Sequence, residues 1–224
     1  MTDPNVQEGA LKELARDDSS RKRFLKMMGG ASAASAFAIF LAACGEDEEK
    51  SGGSSSGTKT EKMASGQDLE IVQYALTLEY LEVDFYNAVI DAGVIKDKKI
   101  GEAATMIRDN EQEHVDALAA AVKQLGGTPK RPKTTFTSVI EGGPDMVLET
   151  AAVVENLGAA AYLGQAGRIK SKEILASALA IHTVEGRHAA LLNSLVGKSI
   201  VPDGAFAKPA SMEEVLPKVK PFLA

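Results

Sequence analysis

Four glutamates interrupt the apolar stripes of otherwise ordinary amphipathic helices, and no other feature constrains this chain as tightly. Over residues 68–92 a 3-4 spaced stripe runs Val72, Leu76, Glu79, Val83, Tyr86, Ile90; over 102–125 it runs Ile107, Glu111, His114, Leu118, Ala121, Leu125. Over 145–166 the stripe is Leu148, Ala152, Glu155, Ala159, Tyr162, Ala166, and over 171–196 it is Ile174, Ala178, Ile181, Glu185, His188, Leu192, Leu195. Such spacing predicts four helices, each burying one face. A charge left unpaired in a buried face costs several kcal/mol or more, and Leu or Ala would pack better. Four inward carboxylates therefore demand compensation, which two divalent cations would supply in full.

Two of the glutamates open Glu-x-x-His steps, Glu111-Gln112-Glu113-His114 and Glu185-Gly186-Arg187-His188. Residues three apart on a helix share a face, so each step aims a carboxylate and an imidazole at one point. The chain also repeats itself. Glu79 and Tyr86 recur as Glu155 and Tyr162 at an offset of 76 residues, and the Glu-x-x-His steps recur at an offset of 74. An approximate two-fold relation follows, each half giving one single glutamate and one Glu-x-x-His.

The repeat ranks rival residues. Glu82 lies on an adjoining inward stripe (Ile71, Ala75, Leu78, Phe85, Val89), but its counterpart is Gly158, which places it below Glu79. Glu113 shares a stripe with Met106, Asn110, Ala117 and Ala120, and reads as a solvated surface glutamate. His182 lies beside the metal stripe and reads as a structural histidine. Arg108 and Arg187 read as partners of acidic neighbours.

Connection lengths set the topology. Short loops around Gly93 and Lys96–Lys99, and around Gly167, join the helices in pairs, whereas Gly126–Pro144, with Pro129, Pro132, Gly142 and Gly143, is long and reads as structureless. The expected fold is all-α: an antiparallel four-helix bundle of two hairpins joined by one long crossover. Scarce aromatics (5%) and the absence of Trp favour helices over sheet, and 45% hydrophobic residues in a 224-residue chain suffice for one core with appendages.

The front of the chain reads as an address. Ser20-Arg21-Lys22-Arg23-Phe24-Leu25-Lys26 precedes a weakly apolar run, Met27–Ala43, too short and rich in small residues for a permanent span. The basic stretch resembles a twin-arginine export signal, with Lys22 where a second arginine is expected. Leu41-Ala42-Ala43-Cys44 looks like a bacterial lipobox, which implies lipidation of Cys44. The expected organisation is a signal segment over 1–43, a flexible tether over 44–66, the helical domain over 67–198 and an extension over 199–224 with a short helix at 211–216. Residues 1–43 hold 6 of the 25 basic and 5 of the 31 acidic residues, so the remainder carries a net −7 without a basic stripe, which argues against nucleic acid as a partner. A single cysteine excludes a disulfide framework and a thiolate metal site within one chain.

Residues 67–197 resemble the ferritin-like superfamily, specifically the ferritin-like domains of exported bacterial proteins. The resemblance implies that Glu79 and Glu155 are terminal metal ligands, that Glu111 and Glu185 bridge two metals, and that His114 and His188 complete one site each. It further implies that Tyr86 and Tyr162 donate phenolic hydrogen bonds to ligand carboxylates. Four carboxylates and two neutral imidazoles balance two Fe(II), and hard oxygen ligands suit iron or manganese better than copper. The expected protein is exported and lipid-anchored at a membrane, with two iron (or manganese) ions as cofactor. It acts as an oxidoreductase on dioxygen or peroxide in ferroxidase- or peroxidase-like fashion. Its expected partners are metal ions, small oxidants and the membrane, and a homodimer is compatible with the sequence. The alternative is a ferritin-like module that sequesters metal or protects against stress without turnover. No catalytic residue beyond the ligands is assigned, and no nucleophile triad, phosphate loop or dinucleotide fingerprint is present.

Overall fold

The computed structural model describes residues 57–224, with side chains from Gly66 onward. The expected signal segment, the expected lipobox at Cys44 and the first part of the expected tether lie outside the described residues. Among those described, six α-helices follow in order: α1 Gly57–Ala92, α2 Lys98–Gln124, α3 Thr137–Glu141, α4 Gly143–Ala166, α5 Lys172–Leu195 and α6 Met212–Val219, closed by a 3-10 turn, Lys220–Phe222. The only extended pairing among them is an isolated antiparallel bridge between Thr134 and Leu223.

Local chemistry sets the helix ends. The Asp97 side chain accepts the Lys99 and Ile100 N–H groups at 2.8 and 3.1 Å and starts α2. Ser171 caps α5 by accepting the Ile174 N–H, and Ser211 with Glu214 forms a reciprocal capping box on α6. Gly93 stops α1 in the left-handed region at φ +57°, where a Cβ is disfavoured. The first helix begins at Gly57, eleven residues before the start read at residue 68. Residues 58–65 contain no proline, and lengthening an existing helix adds hydrogen bonds without a second nucleation step.

The long helices pack in pairs, α1 along α2 and α4 along α5, and α1 also meets α4. One end is fastened by Asp68, buried at the α1 side, which accepts the Lys170 and Ser171 N–H groups of the α4–α5 turn at 2.8 Å each.

The long connection is not structureless. It contains α3, which buries Val139, and Phe136 just before it packs between Phe85 of α1, edge-on, and Phe222, tilted, with ring centroids 5.3 and 5.6 Å apart. Asp84 accepts hydrogen bonds from Thr134 and Arg131, and the Thr135 N–H donates to the Phe222 carbonyl at 2.9 Å. Side chains and backbone from three separate parts of the chain thus replace the local pattern that the connection lacks. The C-terminal extension lies on α4, where the Ala210 N–H donates to the Ala160 carbonyl at 2.9 Å. Its carbonyl fills the space in which a Cβ on Gly164 would sit.

Candidate metal centre

Each of the four long helices places one glutamate at its inward midpoint, and Glu79, Glu111, Glu155 and Glu185 are all completely shielded from solvent. The two Glu-x-x-His steps add His188, 5% exposed in its side chain, and His114, 11% exposed. All six expected residues converge. They form two overlapping groups, Glu79–Glu111–His114–Glu185 and Glu111–Glu155–Glu185–His188, and within each the candidate ligand atoms lie within 4.8 Å of one another. Glu111 and Glu185 are common to both groups.

The geometry around Glu111 is the most telling. Its Oε2 lies 2.7 Å from His114 Nδ1, and its Oε1 lies 2.8 Å from His188 Nδ1. Each oxygen of one carboxylate therefore faces a different imidazole. His114 Nδ1 also approaches Glu79 Oε2 at 3.3 Å and Glu185 Oε1 at 3.4 Å, and His188 Nδ1 approaches Glu155 Oε2 at 3.2 Å.

The outer glutamates are held from across the domain. Tyr86 donates its hydroxyl to Glu155 Oε1 at 2.6 Å, and Tyr162 donates to Glu79 Oε1. Asn110, one residue before Glu111, sits on the stripe of Met106, Glu113 and Ala117. Its Oδ1 accepts from His188 Nε2 at 3.2 Å, which leaves the Nδ1 lone pair of the neutral ring directed at the carboxylates. No sequence periodicity marks such a residue, because the contact runs between helices.

Without a cation the cluster must hold protons. Burial pushes Glu79 up to about 7, with His114 opposing and Glu111 reinforcing. Burial, then the charges of Glu111, Glu79 and Glu155, drive Glu185 well above the usual carboxylate range. Glu111 falls to about 2, since its contacts with His114 and His188 outweigh burial. Burial acts to lower His188, but Glu111 and Glu155 outweigh it and carry the ring to about 9.

The donor set fits a metal. Among the described residues, three buried carboxylate oxygens, Glu111 Oε1 and both of Glu185, have no hydrogen-bond partner. Although His188 Nδ1 is 2.8 Å from Glu111 Oε1, the pair is not aligned as a hydrogen bond. Two lone-pair-bearing atoms so placed, both buried, suit a shared cation better than a shared proton.

The residues set apart lie elsewhere. Glu113 and Arg187 are exposed. His182 is half-buried with Nδ1 3.0 Å from the Ala159 carbonyl, which makes it a structural contact. Arg108 pairs with Asp109 at 2.8 Å. Glu82, by contrast, is only 2% exposed; it lies outside both groups, but its Oε1 and Glu185 Oε2 both border the position of a Cβ on Gly158, at 2.9 and 2.6 Å.

Helices that bury carboxylates and imidazoles at one shared point define a class: a helical protein with a core suited to metal binding. The ferritin-like domain family matches residues 67–198, more than half of the chain, and the chain belongs to that family. Comparison with curated proteins gives no match.

Proposed function

We propose that the protein is an exported, lipid-anchored oxidoreductase whose four long helices form a ferritin-like bundle around two iron or manganese ions. In this reading Glu79, Glu111, His114 and Glu185 would hold one ion, and Glu111, Glu155, Glu185 and His188 the other. The observation that carries it is the placement of the two Glu111 oxygens, one toward each imidazole, in a fully buried setting. A bound pair of such ions supplies two electrons together to dioxygen or peroxide.

The chain's own contribution is positional and electrostatic. Tyr86 and Tyr162 fix the outer carboxylates, and Asn110 fixes the His188 ring so that Nδ1 faces inward. Burial excludes bulk water, while the partly exposed edge of His114 offers small oxidants and reductants an approach. His188, His114 and the raised carboxylates would give up their protons in order to hold metal. The lone Cys44 rules out an internal rubredoxin-type relay, so the reductant comes from outside.

Anaerobic Fe(II) titration of the purified chain should give two ions per chain in the parent and loss of binding in Glu111→Ala. Ferrous oxidation or peroxide consumption above a Glu185→Ala control marks an enzyme; binding without turnover marks the metal-sequestering alternative. Parent protein that binds neither iron nor manganese refutes the dinuclear reading. The envelope location rests on the Arg21-to-Cys44 segment, and Cys44→Ala should release the protein from the membrane fraction.

A further inference from the structure

The approximate two-fold relation between the halves of the domain fails at one pair of positions inside the core. At the offset of 76, Glu82 on α1 corresponds to Gly158 on α4. The two are not merely different; they face each other. A Cβ built on Gly158 would lie 2.9 Å from Glu82 Oε1 and 2.6 Å from Glu185 Oε2. The two carboxylates therefore flank one bare stretch of α4 backbone, and no side chain larger than hydrogen fits between them without displacing one.

Glu82 sits on the second inward stripe of α1, among Leu78, Phe85 and Val89, all buried. At 2% exposure its carboxylate is withdrawn from water almost as fully as that of Glu79. Its neighbour Glu185 has both oxygens buried without a hydrogen-bond partner among the described residues. Two carboxylates on one spot repel unless a cation or a proton lies between them. A purely structural position offers no reason to keep this charge, since leucine would fill the stripe at lower cost.

We propose that Glu82 is a seventh side chain of the metal centre, a fifth carboxylate that binds a divalent cation alongside Glu185, and that Gly158 is the residue that admits it. This rests on the dinuclear reading above. It makes the centre lopsided: five carboxylates and two imidazoles, with the extra oxygen donor on the Glu185 side only. Four carboxylates already balance two divalent ions, so the fifth raises the affinity of the centre for positive charge.

Mn(II) titration of the full chain, followed by loss of the free-ion electron paramagnetic resonance signal, tests the assignment without any activity assay. Glu82→Gln should weaken at least one of the two Mn(II) binding steps tenfold or more, while Glu113→Gln, on the exposed face of α2, should bind like the parent. A glutamine amide can replace the hydrogen bond of a neutral carboxyl but not a charged ligand. Glu82→Gln binding both ions as the parent does therefore overturns the proposal. Where Glu82→Gln does not fold by circular dichroism, Glu82→Leu, which fills the apolar stripe, decides by the same criterion: weakened binding supports the assignment and parental binding overturns it. A parent chain that binds no Mn(II) or Fe(II) fails at the earlier step, taking the dinuclear reading and this one together. A parent that binds two ions beside an unaffected Glu82→Gln removes this proposal alone.

Discussion

Tyr86 on α1 donates its hydroxyl to Glu155 on α4 across 2.6 Å, and Tyr162 on α4 returns the bond to Glu79 on α1. Each tyrosine lies seven residues from a glutamate of its own helix, yet holds the glutamate of the other half. Two turns of helix span about 10 Å, beyond the reach of a hydrogen bond, so the partner has to come from across the core. The exchange ties the two halves together at the point where their carboxylates converge.

Removing either hydroxyl should loosen an outer glutamate without removing it. Tyr86→Phe and Tyr162→Phe are each expected to keep two Mn(II) sites but to weaken one of them roughly 10- to 100-fold. The metal-free protein should lose about 1–3 kcal/mol of stability, because a buried acceptor loses its donor. Mn(II) titration and urea unfolding in the presence of a chelator measure the two effects separately. Unchanged affinity in both variants would reduce the tyrosines to packing residues.

Protonation makes the metal-free protein sensitive to alkali. Glu79, raised by burial to about 7, and His188, raised to about 9 as Glu111 and Glu155 outweigh its burial, both have folded values above their unfolded ones of 4.5 and 6.5. Each contributes its full stabilisation below the unfolded value and loses it as pH rises through the folded one. Glu111 behaves oppositely: held at about 2, it contributes above 4.5 and is lost only as the solution becomes strongly acidic. The melting temperature of the metal-free chain should therefore fall between about pH 5 and about pH 9. The rise on adding Mn(II) should be largest at the alkaline end, since the metal replaces protons already leaving. Calorimetry at several pH values checks this, and a metal-induced rise that shrinks with increasing pH contradicts it.

Asn110 distinguishes the two histidines. It accepts from His188 Nε2 at 3.2 Å, whereas its counterpart at the 74-residue offset is Val184, which has no side-chain acceptor for His114. Asn110→Ala should free the His188 ring to rotate and weaken one Mn(II) step about tenfold or more, leaving the other step near its parental value. Val184→Ala should change neither. Equal weakening of both steps would show that Asn110 supports the whole cluster instead of one imidazole.

Gly164 makes a prediction away from the metal. The Ala210 carbonyl occupies the place a Cβ would take, and the Ala210 N–H bonds to Ala160 on the same helix. Gly164→Ala should push residues 199–224 off α4, at a cost of about 1–3 kcal/mol, the range expected for overpacking. Faster proteolysis of the extension, with two Mn(II) ions still bound, is the expected result. Undiminished protection would mean that the extension can shift to accept the methyl group.

The sequence by itself determined which residues turn inward, because helical periodicity is a property of each segment taken alone. The stripes through Glu79, Glu111, Glu155 and Glu185, and the matching offsets of the two halves, needed no neighbour to be read. Only the tertiary structure decided what stands opposite what. The repeat ranked Glu82 below Glu79 because position 158 is glycine, yet in three dimensions the missing side chain is what leaves room for a second buried carboxylate on α1. The partner of each tyrosine, the hold of Asn110 on His188, and the helix and clasp within residues 126–144 were likewise out of reach of the pattern. A helix's residue spacing specifies direction about its own axis; the distance and register to the next helix come from packing, and hydrogen bonds and ligand sets are made across that gap.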